Sequence, residues 1–244
     1  MNDRLNINSN VGFIESSVAV DLIKQASDRT TVILDFDETL FLRNSTAEYL
    51  DSLRPRWLGF VVLKMISLIQ PWSWLPKPFR GSKIRDWFLV FGATLLLPWT
   101  FFLWQKKAKI LADDYANLEL TNAIANNPNS SIIVASLGFS FIINPVLNSF
   151  NIKYDRAIAC RFWQGAKDRG KGKLLMVEEV LPEAAIKSSI LVTDSYDDLP
   201  LLEVVDKPCL TMWSLAKYNP PLQDIRDFLV GSVKRFSHKL KRSL

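Results

Sequence analysis

The chain has 244 residues, 48% apolar and 23% charged, which fits a folded domain carrying a large insertion, or two small domains, and excludes a disordered chain. A single histidine, His238, and two cysteines, Cys160 and Cys209, with no CxxC pair argue against Ser-His-Asp, Cys-His and two-histidine metal chemistry, and against a disulfide framework. Net charge is +5 but unevenly spread: residues 54–109 hold ten Lys/Arg and one acid, residues 231–244 hold five and none, and the remainder carries −9.

In chain order, the start (MNDRLNINSN) lacks the apolar core of a signal peptide, and residues 12–27 predict a helix. Residues 31–35 (TVILD) are a short β-branched run of the kind that forms a buried strand. An apolar, basic insertion follows at 46–125. Within it lie two apolar segments, about 57–75 and 87–104, the second with eighteen uncharged residues (WFLVFGATLLLPWTFFLW). Six of the eight tryptophans lie there (Trp57, Trp72, Trp74, Trp87, Trp99 and Trp104), mostly at segment ends, and basic residues flank both segments. That pattern favours a membrane and leaves no expectation of nucleic acid. A buried helical pair is the plainer alternative. Because the connecting residues 77–86 are themselves basic, a hairpin dipping into one leaflet or lying in the interface is expected over two crossings. The basic tail 234–242 is expected on the same surface.

Residues 111–125 predict a helix and Asn126-Asn127-Pro128-Asn129 a loop. Strands are predicted at 131–135, 155–160, 189–193 and 208–213, with helices near 140–150, 173–181 and 198–205. Alternation of this kind predicts an α/β fold: a doubly wound, mainly parallel Rossmann-like sheet with an inserted helical cap. Residues 1–45 and 126–244 would form the discontinuous core and 46–125 the cap.

Ligands in such folds bind at the carboxyl ends of the strands. The first strand runs into Asp35-Phe36-Asp37-Glu38-Thr39, the second ends at Ser136, and the fourth ends at Asp194 with Asp198 four residues on. A glycine-rich stretch (GAKDRGKGK) supplies Lys171 or Lys173, and apolar Val177 and Val180 at +4 and +7 place Lys173 at a helix start. Clustered carboxylates repel unless a cation neutralises them, and an all-oxygen set suits Mg²⁺. A lysine and a hydroxyl nearby suit a phosphoryl group. Taken singly, each element has a plainer explanation: an acidic turn, a helix cap at Ser136, acids at a helix N-terminus, a solvated pair of lysines.

Taken in order, Asp35-x-Asp37-x-Thr39, Ser136, Lys173 and Asp194-x-x-x-Asp198 resemble the haloacid dehalogenase superfamily of phosphohydrolases. The sequences around Ser136 (VASLGF) and Lys173 (GKGKLLMV) are similar to its phosphoserine-phosphatase-like branch. The resemblance covers residues 30–45 and 130–213, about half the chain. It implies Asp35 as nucleophile through an aspartyl-phosphate, Asp37 as general acid and base, and Thr39, Ser136 and Lys173 on the phosphoryl group. It implies Mg²⁺ held by Asp35, the Asp37 carbonyl and Asp194, with Asp198 in support. One departure is Thr193-Asp194-Ser195 in place of the family's Gly-Asp-Gly, which bears on metal geometry because glycine gives backbone freedom.

These readings predict a Mg²⁺-dependent phosphomonoester hydrolase at a membrane surface, its catalytic part cytoplasmic, acting on a phosphorylated lipid or lipid-linked intermediate. The alternatives are a phosphatase for a soluble phosphorylated small molecule that is merely tethered, and a non-catalytic membrane adaptor. Oligomeric state is not legible.

Overall fold

The computed structural model describes residues 12–27, 30–75 and 82–217. His238, the basic tail and residues 77–81 of the basic connection lie outside the described residues. The chain runs β1 (Phe13–Ile14), α1 (Ser16–Lys24), β2 (Thr31–Leu34), α2 (Ser45–Asp51), α3 (Arg56–Ile69), a 3-10 turn (Pro71–Trp74), α4 (Ser82–Leu96), α5 (Thr100–Tyr115) and α6 (Leu118–Ala125). It continues with β3 (Ser131–Phe139), α7 (Ser140–Leu147), β4 (Arg156–Cys160), α8 (Gly165–Lys171), α9 (Lys173–Glu178), α10 (Glu183–Lys187) and β5 (Ile190–Thr193). A 3-10 turn (Tyr196–Asp198), α11 (Leu199–Leu202) and β6 (Lys207–Thr211) complete it.

The six strands form one sheet in the order β1-β6-β5-β2-β3-β4, every pairing parallel. Val32 pairs with Ile132 on one side and Ile190 on the other, so β2 is central. Val32, Ile33 and Leu34, like Ile190, Leu191 and Val192 of β5, carry buried apolar side chains to both faces, because helices cover both. The chain leaves β2 towards β3 and β4, then crosses back to β5 on the other side of β2. That reversal opens a crevice above the carboxyl ends of β2, β3 and β5. The fold class is the α/β, doubly wound, Rossmann-like one with helices inserted between β2 and β3.

Local differences from the expected elements have local causes. Phe13–Ile14, within the stretch expected to be helical, make a short edge strand before α1. The helix expected over 111–125 is two helices, because the Asn117 side chain accepts from Leu120 N–H and starts α6 anew while its amide donates to the Thr39 carbonyl (2.8 Å). Strand β3 runs on to Phe139, with its pairing to β4 slipping between Ala135 and Phe139.

The inserted helices α4 and α5 pack against the sheet and share its core. Helix α4 turns Val90 into the core it shares with the sheet, and α5 adds Trp104, Ala108, Leu111 and Ala112. Trp104, expected near lipid headgroups, is fully buried: its indole donates to the Ile142 carbonyl (2.9 Å) and lies edge-on to Tyr49 (5.6 Å). Trp87 is half-buried and donates to the Phe162 carbonyl (3.0 Å). The uncharged run 87–104 is bent by 116° between α4 and α5, and no single helix among the described residues is long and apolar enough to cross a membrane. A run of apolar letters does not separate a face turned to lipid from a face turned to a core. Deleting 57–104 would therefore remove part of the core along with any membrane contact. Trp104→Ala should cost about 3–5 kcal/mol, the range for emptying a buried indole site, read as a lowered urea midpoint.

Candidate active site

The site is built where β2, β3 and β5 end. Asp35 follows β2 directly, its N–H donating to the Val192 carbonyl (2.9 Å), so the two central strands fix its backbone. The turn after it puts Glu38 at φ 60°, a left-handed conformation uncommon for a side-chain-bearing residue, with its N–H directed to the Phe41 carbonyl (2.7 Å). Gly172, at φ 83°, makes the other sharp turn: it separates α8 from α9 and leaves Lys173 as the first residue of α9.

Lys173 is buried, with its Nζ 2.8 Å from Asp35 Oδ1 and 2.6 Å from Asp198 Oδ2. Lys171, the alternative, lies at the surface side and pairs with Glu179. The Thr193 hydroxyl sits 2.6 Å from Asp198 Oδ2 and 3.2 Å from Asp35 Oδ2. Asp37 faces the other way: Oδ1 accepts the Ser45 N–H (2.6 Å) and Oδ2 the Ser136 hydroxyl (3.4 Å). Ser136 Oγ in turn accepts the Gly138 N–H (2.9 Å). A methyl group on Gly138 would sit 3.2 Å from Asp37 Oδ2 and 2.8 Å from Ile143, so a side chain there would press on the carboxylate.

Asp35, Asp37, Ser136, Lys173, Asp194 and Asp198 all line one cleft of about 390 Å³. Two expected roles move. Thr39 is fully buried, outside the cleft lining, and donates to Asp194 Oδ1 (3.1 Å); it orients a carboxylate and does not face a phosphoryl group. Asp198, grouped with the metal ligands, spends its Oδ2 on Lys173 and Thr193, so it holds the lysine. The cleft also contains residues that sequence reasoning did not single out: Glu38, and Arg85 and Asp86 from α4, and Arg169 from α8. Arg169 donates to the Leu137 carbonyl (3.0 Å) and to Asp86 (3.1 Å), tying core to cap. Glu38 was within the DxDxT stretch; nothing in the sequence marked Arg169.

Burial raises the Asp35 carboxyl to about 6, with Lys173 pulling the other way. Burial also raises Asp37, against the Ser45 hydrogen bond. Asp194 is pushed well up by burial and by the charges of Asp35 and Glu38. Burial disfavours the Lys173 ammonium, but Asp198 and Asp35 outweigh it and hold the proton on. One buried ammonium thus faces Asp35, Asp194 and Asp198. The surplus negative charge and all-oxygen donors fit a hard divalent cation, to which Asp35 and Asp194 would offer carboxylates and Asp37 its carbonyl. Among the described residues no group of three His, Cys, Asp or Glu side chains is placed to hold a metal ion by itself.

With that geometry in place, the chain can be compared with known proteins. No protein-family model matches it, and no curated protein matches it significantly. Some solved structures resemble it. A protein with unknown function from Bordetella pertussis Tohama I has a TM-score of 0.54 at 16% identity, over 84% of this chain and 97% of its own. A phosphoserine phosphohydrolase-like protein from Francisella tularensis gives TM-score 0.38 at 19% identity, over 71% and 82%. A phosphoserine phosphatase, solved as an analogue of its phospho-aspartyl intermediate, gives 0.39 at 15%, over 73% and 84%. The Bordetella protein shows the architecture to be one that other chains adopt.

The raised Asp35 carboxyl has a thermodynamic consequence. Its proton is held to about pH 6 when folded against 3.8 ordinarily. The stability it contributes is therefore complete below pH 3.8 and lost as pH rises through 6. In chelator, Asp35→Asn should melt above the parent at pH 7, with the difference shrinking towards pH 4 in thermal scans.

Proposed function

We propose that this chain hydrolyses phosphate monoesters through an aspartyl-phosphate. The observation that carries the reading is the buried Lys173 ammonium between Asp35 and Asp198, facing Asp37 across one cleft. Asp35 attacks phosphorus: an Asp35 O–P bond forms as the bond to the leaving oxygen breaks. Lys173 favours the ionised Asp35 needed for attack and stands beside the phosphoryl oxygens. Asp37, kept protonated longer than usual by burial, passes its proton to the leaving oxygen. Once ionised, it takes a proton from the water that cleaves the acyl phosphate, releasing inorganic phosphate and restoring both carboxyls. Ser136 aligns Asp37 and offers a hydroxyl to the phosphoryl group. Mg²⁺ bound at Asp35, Asp194 and the Asp37 carbonyl would offset phosphoryl charge.

For the substrate, we read a phosphorylated lipid or lipid-linked intermediate met at a membrane surface. Leu50, Leu89 and Leu137 give the cleft an apolar wall beside its charged floor, which suits a phosphate on an apolar leaving group. A soluble phosphorylated metabolite and a non-catalytic adaptor are the competing outcomes of one assay. Full-length protein is given a water-soluble phosphoester and a detergent-dispersed lipid phosphate, with and without Mg²⁺. The reading expects preference for the lipid; preference for the soluble ester selects the second, and no turnover the third.

Asp35→Asn should abolish phosphate release in that assay with the fold retained. Asp37→Asn should slow it by about 10²–10⁴-fold, the usual contribution of general acid–base help. Chelator should stop turnover and added Mg²⁺ restore it. Full activity of either variant would defeat the assignment.

A further inference from the structure

Helix α3 buries one face and leaves another apolar face bare. Inward, Gly59 and Val62 meet Leu53, Ala93 and Leu97, and a methyl group on Gly59 would sit 2.6 Å from Leu53 Cβ, so α3 is held close to the chain before it and to α4. Outward, Trp57, Phe60, Met65 and Leu68 recur at helical spacing along the opposite side, with Trp57 67% and Leu68 84% exposed. A helix with only a core to satisfy would carry polar residues there. The bend between α4 and α5 adds Leu95, Leu96 and Phe102, the last 70% exposed. The two parts are joined, since the Trp99 indole in that bend donates to the Arg54 carbonyl (2.6 Å) just ahead of α3.

Charge says what covers it. Exposed Arg54, Arg56, Lys64, Lys106 and Lys109 accompany the patch. From residue 52 to residue 112 the sequence has one acid, Asp86, and that one lines the cleft and pairs with Arg169. Apolar side chains among cations, with one acid, Asp51, 3.9 Å from Arg56, match an anionic lipid surface.

We infer that the outer face of α3 and the α4–α5 bend dock on an anionic bilayer, entering one leaflet without crossing it. A helix of 14 residues is about 21 Å long, short of the ~30 Å hydrocarbon core. It lies along the interface. The docking also sets how the cleft meets its substrate. Leu89 lines the cleft and Leu96 lies in the bare bend on the same helix, seven residues or about 10 Å apart. A phosphate on a lipid head would reach Asp35 without the lipid leaving its leaflet. This last step rests on the phosphohydrolase reading; the docking does not.

The test is co-sedimentation of the full chain with vesicles of phosphatidylcholine alone or with about a third phosphatidylserine, which reads binding with no turnover involved. Binding to the anionic vesicles should exceed that to neutral ones at least tenfold, fall with salt, and drop at least tenfold in Trp57→Glu/Leu68→Glu. Because both side chains are exposed, the variant should keep its melting temperature and its turnover of a soluble phosphoester while losing turnover of vesicle-borne lipid phosphate. Equal sedimentation of parent and variant would overturn the inference, as would a parent that stays in solution. A solution dimer that the double substitution dissociates would assign the face to a second copy. An inactive protein that still binds vesicles would sink the phosphohydrolase reading and leave the docking intact.

Discussion

Everything at the sheet's carboxyl edge is arranged around the Lys173 ammonium. A buried cation is costly unless it is paired and hydrogen-bonded, and Lys173 is paired twice. The pairing fixes three separate parts of the chain at once: Asp35 after β2, Asp198 after β5, and the first residue of α9. Gly172 supplies the positive φ that lets α9 begin there, pointing its first side chain back over the sheet. Remove the ammonium and Asp35, Asp194 and Asp198 become close, buried carboxylates with no opposing charge among them. The same imbalance, reduced but not cancelled by one lysine, is what makes the site receptive to a divalent cation.

The departure at Thr193-Asp194-Ser195 is explained by that arrangement. The raised concern was backbone freedom, but Thr193 ends a strand and Ser195 has φ −115°, both open to any side chain. Where glycine would leave a gap, the Thr193 hydroxyl stands between Asp198 and Asp35. It adds a donor to a place crowded with acceptors, and Ser195 caps the next turn by accepting the Asp197 N–H (3.1 Å). The substitution changes how the carboxylates are held, not where the backbone goes.

What the sequence shows and what it hides divide along physical lines. Short β-branched runs and the polar residues after them are one-dimensional signals, and they located β2, β3 and β5 and the residues at their ends. Which lysine enters the site depended on helix phase, readable from Val177 beside it. The apolar insertion was harder. Val90 and Trp104 are buried and Trp57 and Leu68 are bare, yet the sequence gives them the same look, because orientation comes from what α4 and α5 pack against. Thr39 was misassigned for a related reason: a hydroxyl in an acidic turn can face a ligand or a neighbouring carboxylate, and only the distance to Asp194 decides. Arg169 carries no signal at all, since its partners, Leu137 and Asp86, are far away in sequence.

The cap and the sheet are one body in energetic terms. Trp104 reaches the Ile142 carbonyl, Trp87 reaches that of Phe162, and Asp86 pairs with Arg169. Swinging the cap away as a unit would break two indole hydrogen bonds, expose a fully buried tryptophan and leave a nearly buried guanidinium unpaired. Access to Asp35 is therefore governed by the mouth of the cleft, where exposed Arg85 and half-buried Asp86 sit on α4. Helix α4 is also the helix whose far end emerges in the bare bend, so one element joins cleft and bend. The spacing between the cleft and the bare bend is set by the length of α4 itself.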